Sequence, residues 1–303
     1  RETLRVGPPV SASQSPEKAF PSIDELIECL DAEAYLADRG LATAIYLAMS
    51  LKQPLLLEGE AGVGKTEVGK ALAAALGVEL IRLQCYEGID ASQALYEWDY
   101  ARQLLHIRAA APGDGKTDDL FGVGFLSERP LLRALRRGSE SVLLIDEVDR
   151  ADDEFEAFLL EILSDFQITI PEVGTVRAES PPIVIMTSNR TRELHDALKR
   201  RCLYHWIDYP TPEREIAIVR ARAPEASERL AEATTQVAAR LREADLVKSP
   251  GVAETIGWAK ALTQLNIDDV AVPEVLHTLG AVLKDHDDLV SIQSRWDDLI
   301  RDE

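Results

Sequence analysis

The chain has 303 residues, 46% of them hydrophobic, which calls for a folded core and allows one large domain plus a smaller one. Lys and Arg number 33 against 53 Asp and Glu, a formal charge of −20 that repels phosphate backbones and argues against a nucleic-acid partner. No apolar run approaches the roughly 18 residues of a membrane span and no charged-then-apolar leader is present, so a cytoplasmic protein is expected.

The numbering opens at Arg1, and the true start is expected upstream. Residues 1–21 hold four prolines and few apolar anchors, the composition of a flexible arm. Ser22-Ile-Asp-Glu25 is a capping box that opens a first helix, and a second is expected near 38–52. Pro54–Glu58 reads as a short buried strand. A glycine-rich loop follows, then a helix over 66–76 closed by Gly77. Short apolar runs recur at Glu79–Leu83, Ser141–Asp146, Ile183–Thr187 and Tyr204–Asp208, alternating with helical segments. That alternation is the mark of an α/β fold with a parallel sheet covered on both faces. Asp152–Phe166 is the clearest helix, and its stripe of Phe155, Phe158, Leu159, Ile162, Leu163 and Phe166 reads as core. Thr211-Pro212, a cap followed by a first-turn proline, opens a region rich in Ala, Leu, Glu and Arg. A separate helical domain is expected over 211–303, interrupted at Ser249-Pro250-Gly251 and near Pro273.

Three dispersed cysteines (Cys29, Cys85, Cys202) without a C-x-x-C pair suit a reducing compartment and argue against a zinc site. Asp285-His286-Asp287-Asp288 is best read as a solvated helix end rather than a cation site.

The chemistry begins at Gly59, Glu60, Ala61, Gly62, Val63, Gly64, Lys65 and Thr66, which fit G-x-x-x-x-G-K-[ST] without a mismatch. A strand, such a loop and a helix N-terminus aim successive backbone N–H groups into one concavity suited to phosphate oxygens. Lys65 is then assigned to the β- and γ-phosphates of ATP and the Thr66 hydroxyl to Mg²⁺. In Val142-Leu-Leu-Ile-Asp146-Glu147, four apolar residues deliver two carboxylates to the carboxyl end of a strand, where ligands bind in open parallel sheets. Asp146 can hold the metal through its water shell, and Glu147 can polarise an attacking water as general base. A kinase with a hydroxyl acceptor needs no such base on this strand, so the pair favours hydrolysis. Asn189 ends the next apolar strand, where its amide could bind the γ-phosphate or position the water. The basic cluster Lys199-Arg200-Arg201 precedes the last strand.

This order of motifs resembles the AAA+ ATPases from about residue 22 onward. The resemblance implies a P-loop three-layer αβα module over 22–210 followed by a smaller all-helical lid domain over 211–303. It makes Asn189 the sensor 1 residue and Arg201, or alternatively Arg200, an arginine finger acting in trans on a neighbouring subunit. Such fingers supply roughly 10³–10⁵ in rate. Residues 84–108, and Ile168–Val176 with its glycine-containing turn, are similar to the two insertions of the MoxR branch, with β-hairpins near 86–108 and 168–181. The wording of 84–108 and 187–202 looks most like the CoxD-like subgroup, associated with maturation of molybdenum-containing carbon monoxide dehydrogenase. The resemblance implies a ring, a hexamer in this family, working with a von Willebrand factor A domain partner on a client metalloenzyme. Trp98 and Tyr100 are candidates to touch that client, with packing of the insertion on its own base as the alternative. One departure stands out: MoxR lids commonly carry Ser-Pro-Arg, whose Arg is sensor 2, and this chain has Ser249-Pro250-Gly251. Lys248 is one cation that could stand in.

A nucleic-acid motor on the same fold is opposed by the charge and by the lack of a basic stripe. A small-molecule kinase would leave Glu147, Asn189 and Arg201 unexplained.

Overall fold

The computed structural model describes residues 20–109, 120–171 and 173–301, so the arm expected over 1–21 lies outside the described residues except for its last two positions. Two helices open the described chain, α1 (Ile23–Ala32) and α2 (Arg39–Leu51). The Ser22 hydroxyl caps α1 by accepting from the Glu25 N–H, and Asp38 caps α2 through the Leu41 N–H at 2.7 Å. Each cap satisfies an amide that has no partner within its own helix. Strand β1 (Leu55–Gly59) leads to α3 (Lys65–Leu76), and β2 (Glu79–Gln84) follows.

A small subassembly comes next: α4 (Ala91–Leu95), β3 (Tyr96–Trp98), α5 (Tyr100–Ala109), β4 (Leu126–Glu128) and α6 (Pro130–Arg137). Strand β3 pairs antiparallel with β4, Trp98 lying opposite Leu126. This corrects the hairpin expected near 86–108, since the second strand lies beyond that range. Residues 100–109 are helical instead, because the Asp99 carboxylate accepts the Arg102 N–H at 2.9 Å and starts a turn.

Strand β5 (Ser141–Asp146) precedes α7 (Asp153–Asp165), which is capped by Asp152. An antiparallel pair, β6 (Gln167–Ile170) and β7 (Gly174–Arg177), comes before β8 (Ile183–Ser188). A single turn, α8 (Asp196–Lys199), leads into β9 (Leu203–Ile207).

The main sheet has the order β2-β5-β8-β1-β9, and the β2/β5, β5/β8 and β8/β1 pairs are parallel. Every residue of β5 and of β8 is buried, as expected for central strands covered on both faces. Leu143 and Ile145 of β5 join a core with Phe155, Leu159 and Ile162 of α7. Leu144 points the other way, to α3, where a β-carbon on Gly69 would come within 3.2 Å of it. Alternation along a strand thus serves two helical layers with one run of apolar residues.

The chain divides into two compact units. Residues 37–58 and 68–206 belong to the first, with α1; residues 34–36, 59–67 and everything from Ile207 belong to the second. The second unit is helical after the loop: α9 (Pro212–Arg222), α10 (Glu228–Glu243), α11 (Val252–Gln264), a 3₁₀ stretch Pro273–Ala281, α12 (His286–Ser294) and α13 (Trp296–Arg301). Thr211 caps α9, with Pro212 in its first turn. The core of this unit is built on Trp258, which is fully buried, meets Trp296 edge to face at 6.3 Å and donates its indole N–H to Thr278 Oγ1 at 2.8 Å. Arg242 and Glu215 form a bidentate pair at 2.6 and 2.7 Å that ties α10 to α9. Among the described residues no helix is long and apolar enough to cross a membrane.

Candidate active site

The phosphate loop belongs to the second unit. Lys65 opens α3 and is 95% buried, being 5% exposed. Its ammonium donates to the Gly59 carbonyl at 2.8 Å and the Glu60 carbonyl at 2.6 Å, so a fixed positive charge sits over the loop. Gly62 and Gly64 take φ of 78° and 94°, a region that side chains disfavour. Gly62 also meets another backbone. A β-carbon on Gly62 would lie 2.8 Å from Gly251 Cα, and one on Gly251 would lie 2.6 Å from Gly62 Cα and 2.9 Å from the Ala61 carbonyl oxygen. The Ala253 N–H donates to the Gly62 carbonyl at 3.3 Å. The start of α11 therefore rests directly on the loop, and position 251 admits no side chain. That is a steric reason for Ser-Pro-Gly where the resemblance leads one to expect Ser-Pro-Arg. Lys248, Lys284 and Tyr209 line a cavity of about 390 Å³ together with Glu60–Gly62 and the 249–251 turn.

Arg242 is a cation held from several sides in that region. Besides Glu215 it donates Nε to the Pro250 carbonyl at 2.7 Å and lies over the Tyr209 ring at 4.6 Å. Its role is to fix the turn that carries Gly251.

The acidic strand end belongs to the first unit. Asp146 closes β5, opposite Gln84 of β2, and is almost fully buried. The Thr187 hydroxyl donates to Asp146 Oδ1 at 2.6 Å and accepts the Glu147 N–H at 2.9 Å. One buried side chain thereby sets both carboxylate-bearing residues. Arg82, on β2, donates Nε and Nη2 to Asp146 Oδ2 at 3.1 and 2.5 Å. Glu147 itself has φ 53° and ψ 50°, a left-handed backbone that is uncommon for a non-glycine residue. This bend turns the chain out of the sheet straight after Asp146. The Glu147 carboxylate stays partly exposed, with Arg150 Nη1 at 3.5 Å. Cys85, next to Gln84, registers the local charge: burial, then Asp146, Asp149 and Glu147, push its thiol up to about 12.

Asn189 follows the last residue of β8 and is half-buried, and Arg190 beyond it is left-handed at φ 55°. The segment after Asn189 is fastened to the segment after Glu147. Asp149 accepts the Thr191 N–H at 2.8 Å and its hydroxyl at 2.7 Å; Glu156 accepts the His195 N–H at 2.9 Å and a bond from Arg192. Arg192 Nε also donates to the Ala151 carbonyl at 2.8 Å. A third carboxylate, Glu58 at the end of β1, accepts the Tyr204 hydroxyl at 3.1 Å, with Arg190 Nε 3.8 Å away.

Within the first unit, then, Asp146, Glu147 and Asn189 lie at the same, carboxyl edge of adjacent strands. Arg200 and Arg201 lie apart from these, exposed just before β9; among the described residues their guanidinium groups meet no partner. Trp98 is half-buried, edge to face with Tyr96 and Phe121, and packs on the main core. Tyr100 is 62% exposed. Sequence reasoning missed Thr187, Arg82, Asp149 and Glu156. The available signals were a polar residue inside an apolar central strand and a cation alternating with apolar residues in β2.

The AAA domain (dynein-related subfamily) matches residues 54–202. The ClpA homolog protein of Fuscovulum blasticum is 32% identical over 169 residues, 55% of this chain and 18% of that protein. Chaperone protein ClpB 2 of Thermosynechococcus vestitus is 36% identical over 44% of this chain and 13% of its own length. Protein NorQ of Paracoccus denitrificans is 26% identical over 63% of this chain and 65% of its own. The match thus spans under a fifth of the two Clp relatives and about two thirds of NorQ. Among solved structures, the Thermotoga maritima RuvB Holliday junction branch migration motor superposes with a TM-score of 0.45 at 18% identity, over 88% of this chain and 73% of that one. That likeness is too distant to bear on function. The phosphate loop and the Asp-Glu strand end both lie within residues 54–202, the stretch that is similar to the AAA domain.

Proposed function

We propose that this protein hydrolyses ATP and uses the cycle, as a ring of identical subunits, to remodel a client protein. The observation that carries the reading is Glu147. It is a partly exposed carboxylate on a left-handed backbone, one residue after a buried carboxylate, with its position set by the Thr187 hydroxyl. Strained backbone of this kind persists where surrounding structure over-determines it, and it concentrates at working sites.

In this mechanism the backbone amides of 60–66 and Lys65 hold the β- and γ-phosphates. Lys65 already lies against loop carbonyls, so anion binding adds charge partners without recruiting a distant side chain. Thr66 and Asp146 are hard oxygen donors of the kind that Mg²⁺ prefers. When bound, the metal neutralises charge on the phosphates. Glu147 takes a proton from the attacking water as its oxygen bonds to the γ-phosphorus, and the bond to the bridging oxygen of ADP breaks. Asn189 orients the water or the γ-phosphate. Arg201, with Arg200 as the alternative, reaches the nucleotide of an adjacent subunit, which requires a head-to-tail interface that can close into a ring. Their exposure, with no guanidinium partner among the described residues, suits that use.

Chaperone names among the relatives favour a protein client over a metabolite. The finer assignment is the MoxR branch in its CoxD-like form. Its client would be a metalloenzyme of the molybdenum carbon monoxide dehydrogenase type, its partner a von Willebrand factor A domain protein and its ring a hexamer. The wording of residues 84–108 and 187–202 supports it. The layout follows as 22–210 for the motor and 211–303 for the lid, with Trp98 and Tyr100 as client contacts; of the two, exposure favours Tyr100.

The test is Glu147→Gln. The variant should bind ATP with near wild-type affinity, turn it over at least about a hundredfold more slowly, and retain client and partner in a pull-down from the native cell. Near-normal turnover would remove Glu147 as the base.

A further inference from the structure

Two of the bonds that hold Asp146 within the first unit differ in kind. Oδ1 is held by Thr187, which is fully buried on the central strand β8. Oδ2 is held by Arg82, whose side chain is 47% exposed while that of Asp146 is 2% exposed. Arg82 stands on β2, the outermost strand at its end of the sheet, so the guanidinium reaches in from the solvent side. It has a second acceptor as well, Gln84 Oε1 at 2.5 Å from Nη2. Letting go of Asp146 would therefore leave Arg82 with a partner and with water, and would move no core residue. Thr187 has no such freedom.

Resting on the ATPase reading, in which Asp146 serves Mg²⁺, we propose that Arg82 is a positioning residue that occupies the metal-binding carboxylate until the metal arrives. Two donors on one oxygen use both of its lone-pair directions, so a metal-bound water can take that oxygen only as Arg82 yields. A guanidinium next to a divalent cation is also repelled by it. Arg82 keeps a buried carboxylate compensated in the metal-free state, at a site where Glu147 and Asp149 add further negative charge. It thereby sets the Mg²⁺ concentration at which the site loads.

The experiment is a Mg²⁺ titration of full-length protein with a fluorescent, non-hydrolysable ATP analogue at fixed concentration. Binding of the analogue in excess EDTA is measured alongside. Arg82→Gln should lower the half-saturating Mg²⁺ concentration about fivefold, the scale of a half-exposed charge pair, and leave affinity in EDTA within about twofold. Arg82→Lys keeps the charge but not the paired donors, and should fall between the two. An unchanged or raised Mg²⁺ midpoint in Arg82→Gln overturns the proposal, because a purely structural pair would not move it downward. If thermal melting shows that Arg82→Gln does not fold, Arg82→Lys decides: a lowered midpoint supports competition and an unchanged one refutes it. Wild-type protein that fails to bind the analogue, or binds it without any response to Mg²⁺, would instead overturn the ATPase reading and the inference with it.

Discussion

Gly62 and Gly251 touch through their backbones. A β-carbon on Gly251 would stand 2.6 Å from Gly62 Cα, well inside van der Waals contact. The contact joins the middle of the phosphate loop to the first turn of α11, and the Ala253 N–H bond to the Gly62 carbonyl reinforces it. Arg242 holds the far side of the same turn through the Pro250 carbonyl. The backbone of Gly251 is extended (φ −84°, ψ 177°), so the bar to a side chain there is steric and not conformational.

Restoring the arginine that the family resemblance would place at this position should therefore harm the protein. Gly251→Arg is expected to weaken ATP binding at least about tenfold, since the turn must move off the loop. Gly251→Ala should already lower the thermal midpoint. Equilibrium binding and melting curves check both. Tighter ATP binding by Gly251→Arg would mean that the turn can open to accept a phosphate-binding cation.

Lys65→Ala should abolish ATP binding. The side chain supplies the buried positive charge of the loop and also satisfies the Gly59 and Glu60 carbonyls. Isothermal titration would show it, and retained micromolar affinity would contradict the cradle assignment.

Thr187→Val keeps the shape of the side chain and removes its hydroxyl. Asp146 Oδ1 loses a donor and the Glu147 N–H loses its acceptor, at a cost of about 1–3 kcal/mol in stability. Because the same bonds set Glu147, turnover should fall more than ATP affinity does. Thr187→Ser should rescue most of the activity. Equal loss in the two variants would leave the hydroxyl without a role.

Arg201→Ala should leave ATP binding intact and remove most turnover. Mixing it with Lys65→Ala protein should restore part of the activity, because each variant supplies what the other lacks at a shared interface. The readout is steady-state hydrolysis in mixtures that form assemblies by light scattering. No recovery in such assemblies would count against action in trans and move attention to Arg200.

Burial raises the thiols of both Cys85 and Cys202 to about 12 from an ordinary value of 9.0. Between those values the unfolded chain loses these protons first, so it binds fewer protons than the native state. Stability should thus be unaffected by these groups below pH 9 and decline progressively above it. Alkaline melting curves of wild type and Cys202→Ala measure the contribution, which should shrink in the variant. The native chain should also resist thiol alkylation at these two positions near neutral pH.

Much of this protein was legible along the chain because its motifs are local. A loop of eight consecutive residues specifies an anion cradle, since backbone amides need only the right neighbours and the right glycines. Runs such as Ser141–Asp146 and Ile183–Ser188 announce buried parallel strands, because both faces must be apolar. Caps at Ser22, Asp152 and Thr211 mark helix starts through hydrogen bonds that span three residues. What the sequence could not determine depends on contacts between distant positions. Residues 100–109 became helix and not the return strand of a hairpin, because the pairing partner of β3 came from 126–128. Position 251 must be glycine because a loop nearly two hundred residues earlier lies against it. Thr187 and Arg82 converge on Asp146 only once β8 and β2 have flanked β5. Strand order, which is set by packing and not by chain neighbours, decides which side chains share a carboxylate.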